Sequence, residues 1–145
     1  MKKLSLEPND ILPGILLDRD SGELKFYGKS CPDNAYEFYK PVFEWINNYI
    51  ENAPRKTILE FHLSYFNTVS AKIILNIMNK LEQLSKSGKK VTIKWLYNEN
   101  DEILLDAGQD FDQIVDVKFE FIAIQNNEGE SEDEDRIDNL IDNIL

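Results

Sequence analysis

Cysteine and histidine are scarce in this chain of 145 residues. Cys31 is the only cysteine and His62 the only histidine, which excludes an intramolecular disulfide and a zinc site of paired thiols and imidazoles. No apolar run approaches the roughly 20 residues of a membrane span. The start, Met1-Lys2-Lys3, leads into no signal-peptide core. We therefore expect a soluble cytoplasmic protein without membrane insertion and without a cofactor.

Positive charge is also scarce, with 16 Lys and Arg against 27 Asp and Glu and a formal net charge of -11. Residues 126–145 contain eight of the carboxylates and a single base, Arg136. This acidic end would repel phosphate backbones, and the sequence shows no basic stripe elsewhere, so nucleic-acid binding is disfavoured.

The acidic end differs from the rest of the chain in composition. Residues 125–135 have low hydrophobicity, which is typical of a linker. Four apolar side chains beyond it fall on one helical face: Ile137, Leu140, Ile141 and Ile144. We therefore divide the chain into a domain at 1–124 and a segment at 125–145, an acidic linker with a short amphipathic helix.

In the most informative stretch, the spacing of apolar residues changes from that of a strand to that of a helix, with no glycine or proline between the two patterns. Residues 57–63 are typical of a buried strand, and from Val69 the apolar residues recur at helical spacing. Asn67, Thr68 and Ser70 stand at this junction, where the first helix amides lack partners and the helix dipole is positive. From the residues alone, helix capping is the simplest role of these side chains. A bound anion or a phosphorylated hydroxyl is the alternative.

Other segments have their own strand or helix patterns. A turn at 18–23 lies between two apolar runs, and Asn34 with Glu37 resembles a capping box before a helix that contains Pro41. Pro41 either bends this helix or marks the start of its main part. The remaining elements are a short strand at 4–7, an alternating strand at 91–97, a short helix within 103–114 and a last strand at 117–123. This order predicts an α/β sandwich, a mixed sheet of about five strands with helices packed on it and parallel strands at 57 and 91.

Four separated segments carry a family resemblance that covers roughly residues 4–124. They are Gly28-Lys29-Ser30-Cys31-Pro32-Asp33-Asn34-Ala35, Phe38-Tyr39-x-Pro41-Val42-x-x-Trp45, Tyr65-Phe66-Asn67-Thr68-x-Ser70-Ala71-Lys72, and Trp95-x-Tyr97 followed by Asp101-Glu102 and Gly108-x-Asp110-Phe111. In this order they resemble the SiaC family of bacterial regulatory phosphoproteins, whose fold is STAS-like and related to anti-sigma-factor antagonists. Two positions depart from the family: Cys31 replaces a usual tyrosine, and Val69 a small hydroxyl residue.

The resemblance implies a STAS-like signalling switch that is not an enzyme. Thr68 would be phosphorylated by a serine/threonine kinase of the histidine-kinase-like type and dephosphorylated by a PP2C-type phosphatase, with Ser70 as the alternative acceptor. One phosphorylation state would bind an effector, which in the characterised system is a diguanylate cyclase. Partner-binding or phosphate-supporting roles are expected for Tyr65, Phe66, Asn67, Ser70, Lys72, Asn34 and Tyr39.

Two functional hypotheses follow for the same helix start. In the first, unmodified Thr68 permits the effector contact and phosphorylated Thr68 blocks it, because a buried dianion without a matching cation is unfavourable. In the second, the helix start belongs to a sensor module that binds a small anion or a nucleotide.

Overall fold

The computed structural model describes residues 2–125, and over this range the chain forms six strands and three helices. The predicted linker beyond Gln125 and the amphipathic segment ending near Ile144 lie outside the described residues. The elements are, in order, β1 (Leu4–Leu6), β2 (Gly14–Asp18), β3 (Glu23–Ser30), α1 (Ala35–Glu51), β4 (Lys56–Phe66), α2 (Thr68–Lys86), β5 (Lys90–Asn98), α3 (Glu102–Ile114) and β6 (Lys118–Ile124).

The six strands form one mixed sheet in the order of the sequence. The first three strands pair antiparallel, and β3 to β6 pair parallel. The parallel arrangement predicted for the strands at 57 and 91 is therefore confirmed, and so is the α/β class. The sheet has six strands, against about five predicted, and the predicted short strand at 4–7 is β1, which pairs with β2.

All three helices follow strands of the parallel half, which places their N-termini at the end of the sheet where these strands finish. We call this end the carboxyl edge, defined by the last residues of β3, β4 and β5 and the first turns of α1, α2 and α3. Ligand and partner sites of parallel sheets commonly occupy this position.

The core lies between the helices and one face of the sheet. Leu59, Phe61 and Leu63 of β4 alternate into this core. The Phe61 ring lies 5.1 Å from that of Phe26 and 5.7 Å from that of Trp95, measured between ring centroids. Burying each such side chain contributes about 1.5 to 3 kcal/mol to folding. This packing fixes the strands whose ends make up the carboxyl edge.

Each helix starts with a side-chain cap. The side-chain oxygens of Asn34, Asn67 and Asp101 accept the amide three residues later, at 3.3, 2.9 and 3.0 Å. Helix α1 is continuous from its cap to Glu51 and contains the exposed Pro41. The main helix therefore starts at Ala35 and not at the proline.

Candidate functional site

A β-bulge in β4 lies directly before the candidate site. The β3–β4 pairing changes register so that Gly28 lies opposite Leu63 but Lys29 lies opposite Tyr65, which leaves Ser64 as the extra residue. Gly28 takes a positive φ of 90°, a conformation that glycine adopts without strain. The extra residue shifts the in-and-out alternation of β4 by one position, so that Tyr65 faces solvent instead of the core.

Helix α2 begins directly after this bulged strand. Asn67 is its cap, and Thr68 is its first residue and is exposed. The side chain of Asn67 already accepts the Ser70 amide, whereas the amides of Thr68 and Val69 have no acceptor among residues 2–125. Thr68 therefore begins a helix that has two open donors at the positive end of its dipole.

The first turn of α2 also differs from those of the other helices in charge. Glu37 lies in the first turn of α1 and Glu102 in that of α3, but the first turn of α2 contains no acidic residue. A carboxylate near a helix N-terminus partly neutralises the dipole. Of the three described helices, α2 is the one whose N-terminus lacks such neutralisation, which suits an added negative charge.

Ser70 has surroundings unlike those of Thr68. It is 0 % exposed, and its hydroxyl accepts a hydrogen bond of 2.8 Å from the Ser30 hydroxyl. The Ser30 oxygen lies 2.6 Å from the phenol oxygen of Tyr39, which is also buried. Burial raises the pKa of Tyr39 to about 12, and the hydrogen bond with Ser30 opposes this shift only in part. A kinase could reach the Ser70 hydroxyl only after this corner of the core opened.

The other residues predicted for the site differ in how exposed they are. Tyr65 is 51 % exposed, and Lys72 is exposed one helical turn after Thr68. Phe66 is half-buried, with its ring packed edge-on against Trp95 at 6.2 Å. Asn34 is exposed at the start of α1, which it caps, and Thr68, Tyr65 and Lys72 are the exposed residues among those predicted at the start of α2.

Two features of the site were not predicted from the sequence. Ser30 connects Tyr39 to Ser70, although it lies 40 residues before Ser70 in the chain. Val69 is 38 % exposed beside Thr68 and adds apolar surface there. Only the fold, which pairs the end of β3 with the end of β4, brings Ser30 under the first turn of α2.

A concavity of about 290 Å³ lies at the same end of the sheet. Tyr27, His62, Ser64 and Asp101 are among its lining residues, and neither Thr68 nor Asn67 belongs to it. The carboxylate of Asp101 is engaged in capping α3. An acidic side chain in its wall makes this concavity a poor receptor for an anion.

Among residues 2–125, no group of three or more His, Cys, Asp or Glu side chains is arranged to hold a metal ion. Over the same range, no helix is both long enough and apolar enough to cross a membrane.

Comparison with known proteins identifies the family. The family model described as SiaC family regulatory phosphoprotein matches residues 6–124. The chain belongs to the SiaC family. It is also similar to an uncharacterized protein of Pseudomonas aeruginosa strain UCBPP-PA14, with 30 % identity over 125 residues that cover 86 % of this chain and 97 % of that protein.

Solved structures of SiaC from the same species have the same fold. Apo-SiaC is 27 % identical with a TM-score of 0.78, and the match covers 85 % of this chain and 100 % of that one. SiaC in the crystal structure of the diguanylate cyclase SiaD with its activator SiaC is 27 % identical with a TM-score of 0.79, covering 83 % and 99 % of the two chains. The part of this SiaC-family protein that matches its family includes the whole carboxyl edge, with Thr68 at the start of α2.

Proposed function

We propose that this SiaC-family protein is a non-enzymatic signalling switch. Thr68 is reversibly phosphorylated, and its phosphorylation state decides whether the protein binds an effector such as a diguanylate cyclase. A serine/threonine kinase of the histidine-kinase-like type and a PP2C-type phosphatase would set that state, as the family resemblance implies. The observation that carries the proposal is the position of Thr68. It is exposed at the start of α2, where the amides of Thr68 and Val69 have no acceptor among residues 2–125 and the first turn contains no acidic residue.

Access supports Thr68 over the other hydroxyls at this junction. Thr68 is exposed, whereas Ser70 is 0 % exposed and hydrogen-bonded. Ser64 is exposed in the bulge of β4, but it lies before the helix and its hydroxyl faces the Gly28 carbonyl oxygen at 3.4 Å. A phosphate on Thr68 alone among these three would stand beside the open amides of α2.

The fold and the partner surface respond differently to a phosphate at this position. A phosphate adds about 1.5 to 2 negative charges, which the amides and the dipole of α2 stabilise by about 0.3 to 1 kcal/mol. An effector that buries the same dianion without a matching cation loses several kcal/mol, and each 1.4 kcal/mol is a tenfold change in affinity. Phosphorylation at Thr68 therefore blocks a contact without disturbing the fold.

The surface around Thr68 suits a protein partner. Tyr65 and Val69 are 51 % and 38 % exposed on either side of it. Tyrosine is enriched among the residues that dominate the binding energy of protein interfaces, and the exposed valine beside it adds apolar contact area. The solved complex of a related SiaC with the diguanylate cyclase that it activates supports the choice of effector class.

The alternative, a sensor for a small anion or a nucleotide, has less support. The open amides of α2 would favour an anion. However, Thr68 and Asn67 lie outside the concavity of about 290 Å³ at this edge, and Asp101 lines that concavity. A sensor would show a higher melting temperature with inorganic phosphate or ATP in the absence of a kinase, and a switch would not.

The phosphorylation step is tested with intact mass measurement. The protein is incubated with ATP and the kinases encoded beside its gene, in parallel with Thr68→Ala and with Ser64→Ala as a matched control that also removes an exposed hydroxyl. We expect one added phosphate on the original protein and on the control, and none on Thr68→Ala. A phosphate that persists on Thr68→Ala would assign the modification to another residue.

The binding step is tested by titrating a diguanylate cyclase of the same bacterium with both forms of the protein. We expect binding of the unmodified form and an affinity at least about tenfold lower for the form phosphorylated on Thr68, which corresponds to about 1.4 kcal/mol or more. Equal affinities would contradict the proposed direction of the switch, and tighter binding of the phosphorylated form would reverse it.

A further inference from the structure

Five cationic residues gather at the end of the sheet opposite the carboxyl edge. Lys56, Lys90 and Lys118 are the first residues of β4, β5 and β6, and Arg55 and Lys89 immediately precede two of these strands. We call these five residues the basic pole. A concavity of about 470 Å³ is lined in part by its four lysines, and Arg55 lines a second concavity with Lys56, Lys89 and Lys90.

The basic pole concentrates like charges that an anion over it would offset. Lys56 is directly opposite Lys90 in the parallel β4–β5 register, so their positive charges repel each other. Among residues 2–125, Arg55, Lys56 and Lys90 form no ion pair with a carboxylate. Lys118 has one neighbour, Glu120, at 3.4 Å, and the ammonium of Lys89 donates to the Ala53 carbonyl oxygen at 2.8 Å.

The chain itself contains a segment of opposite charge. Residues 126–145 lie outside the described part and carry eight carboxylates against one arginine. Four of the carboxylates are consecutive, at residues 132–135. The rest of the chain has a net charge of only -4, so most of the net negative charge lies in this acidic segment.

The length of chain after β6 is sufficient to bring the two together. β6 has seven residues, from Lys118 at the basic pole to Ile124 at the opposite end. Its length is about 20 Å at a rise of about 3.3 Å per residue. An extended segment that turns back after Ile124 regains the level of Lys118 after about eight residues. The consecutive acidic run at 132–135 is therefore within reach of the basic pole.

We propose that the consecutive acidic run at residues 132–135 binds the basic pole of its own chain. Covalent attachment gives the segment an effective concentration in the millimolar range at the pole, which a separate acidic protein would have to exceed. The contact consists of ion pairs near the surface, so it weakens as salt screens the charges. It covers the end of the domain remote from Thr68, and it shields the lysines from other polyanions without occluding the start of α2.

The test uses the full chain with a nitroxide spin label near the acidic run. Ser131→Cys carries the label in a Cys31→Ser background, and paramagnetic broadening is read at the backbone amides. At about 0.05 M salt we expect the amides of Lys56, Lys90 and Lys118 to broaden several-fold more than that of Lys29 at the carboxyl edge, and at about 0.5 M salt we expect this difference to disappear.

Two lysine variants test whether the positive charge of the basic pole holds the acidic run in place. The triple variant Lys56→Gln, Lys90→Gln and Lys118→Gln should lose the broadening at the pole. The matched control changes the same number of exposed lysines elsewhere, as Lys3→Gln, Lys29→Gln and Lys40→Gln, and should retain it. Broadening that survives in the first triple variant would overturn the proposal.

Other occupants of the pole would give different results. If labelled chains without ¹⁵N broaden the pole of ¹⁵N chains that carry no label, a second copy supplies the acidic segment and the proposed contact within one chain is wrong. Broadening that is absent, or uniform over the domain, at about 0.05 M salt overturns the contact altogether. None of these outcomes depends on phosphorylation of Thr68.

Discussion

The hydroxyl oxygens of Ser30 and Ser70 lie 2.8 Å apart beneath the first turn of α2. Because Ser30 donates its one proton to Ser70, Tyr39 donates to Ser30 across their 2.6 Å contact. The three hydroxyls thus connect β3, α1 and α2 in the core, and the Asn67 amide donates to the Ser30 carbonyl oxygen at 3.1 Å. These hydrogen bonds therefore hold the backbone at the start of α2, where Thr68 lies, against the core.

Replacing the central hydroxyl should cost more stability than replacing a terminal one. Ser30→Ala leaves both Tyr39 and Ser70 without a partner in the core, and we expect a loss of at least about 2 kcal/mol in the free energy of unfolding. Tyr39→Phe removes one partner together with its own polar group, and should lose about 1 kcal/mol. Urea unfolding of both variants, with the exposed Ser64→Ala as a control near zero, checks this order. An equal loss in both variants would contradict a central role of Ser30.

Buried Tyr39 should make the protein sensitive to strong alkali. Its pKa is raised from the ordinary 10.0 to about 12 by burial, so the folded state disfavours the phenolate. This contribution to stability is complete below pH 10 and is lost as the pH rises from about 10 to 12, by about 1.4 kcal/mol per pH unit. Measured over this range, the free energy of unfolding should fall less steeply in Tyr39→Phe than in the original protein.

A second buried tyrosine, Tyr49, also affects how the free energy of unfolding depends on pH. Burial also raises the pKa of Tyr49, and its hydrogen bond with Thr57 opposes the shift. Tyr49 should therefore keep some alkaline sensitivity in the Tyr39→Phe variant. An unchanged slope in that variant would mean that Tyr39 ionises equally in the folded and unfolded states.

The side chain of Asn67 should stabilise α2 as a hydrogen-bond acceptor, and a negative charge at the same position should be tolerated. In Asn67→Ala the Ser70 amide loses its acceptor at 2.9 Å, and we expect a loss of about 1 kcal/mol. Asn67→Asp keeps an oxygen acceptor and adds one negative charge where the dipole favours it, so its stability should equal that of the original protein or exceed it slightly. Thermal unfolding of the two variants distinguishes these effects, and a destabilised Asn67→Asp would show that α2 does not favour an anion at its start.

Most of the fold could be predicted because the periodic patterns were strong and local. Alternation at 91–97 and helical spacing after Val69 correspond to β5 and α2, and the cap at Asn34 correctly predicted the start of α1. The parallel pairing followed from the order of the elements. The short strand predicted at 4–7 corresponds to β1, which has three residues.

The site was less predictable because its arrangement depends on contacts between distant segments. The bulge at Ser64 has no local signal, since the apolar run continues through it, yet it decides that Tyr65 is exposed. The sequence left Ser70 as an alternative acceptor to Thr68, and only the fold puts Ser70 against Ser30. The basic pole was overlooked for a similar reason, because its lysines come from three separate strands and form no stripe in the sequence.

Gly108 should be intolerant of even one added methyl group. A Cβ at this position would lie 2.5 Å from the Trp95 indole, whose N–H donates to the Leu104 carbonyl oxygen at 2.8 Å. Although alanine favours a helix over glycine by about 1 kcal/mol, we expect Gly108→Ala to destabilise the protein by about 1 to 3 kcal/mol through overpacking. The exposed neighbour Gln109→Ala is the control, and a Gly108→Ala variant as stable as that control would show that α3 can move away from β5.

Phosphorylation of Thr68 should leave the stability of the domain unchanged or slightly higher. The open amides of Thr68 and Val69 and the absence of acidic residues in the first turn of α2 favour the added charge by about 0.3 to 1 kcal/mol. Lys72, exposed one turn later, adds a weak attraction, so Lys72→Gln should reduce the gain. Urea unfolding of the phosphorylated and unmodified forms, at low and at high salt, measures the difference. A loss of more than about 1 kcal/mol on phosphorylation would mean that the phosphate disturbs the hydroxyls of Ser30 and Ser70 beneath it, and that the switch acts by opening the core instead of by charge at a surface.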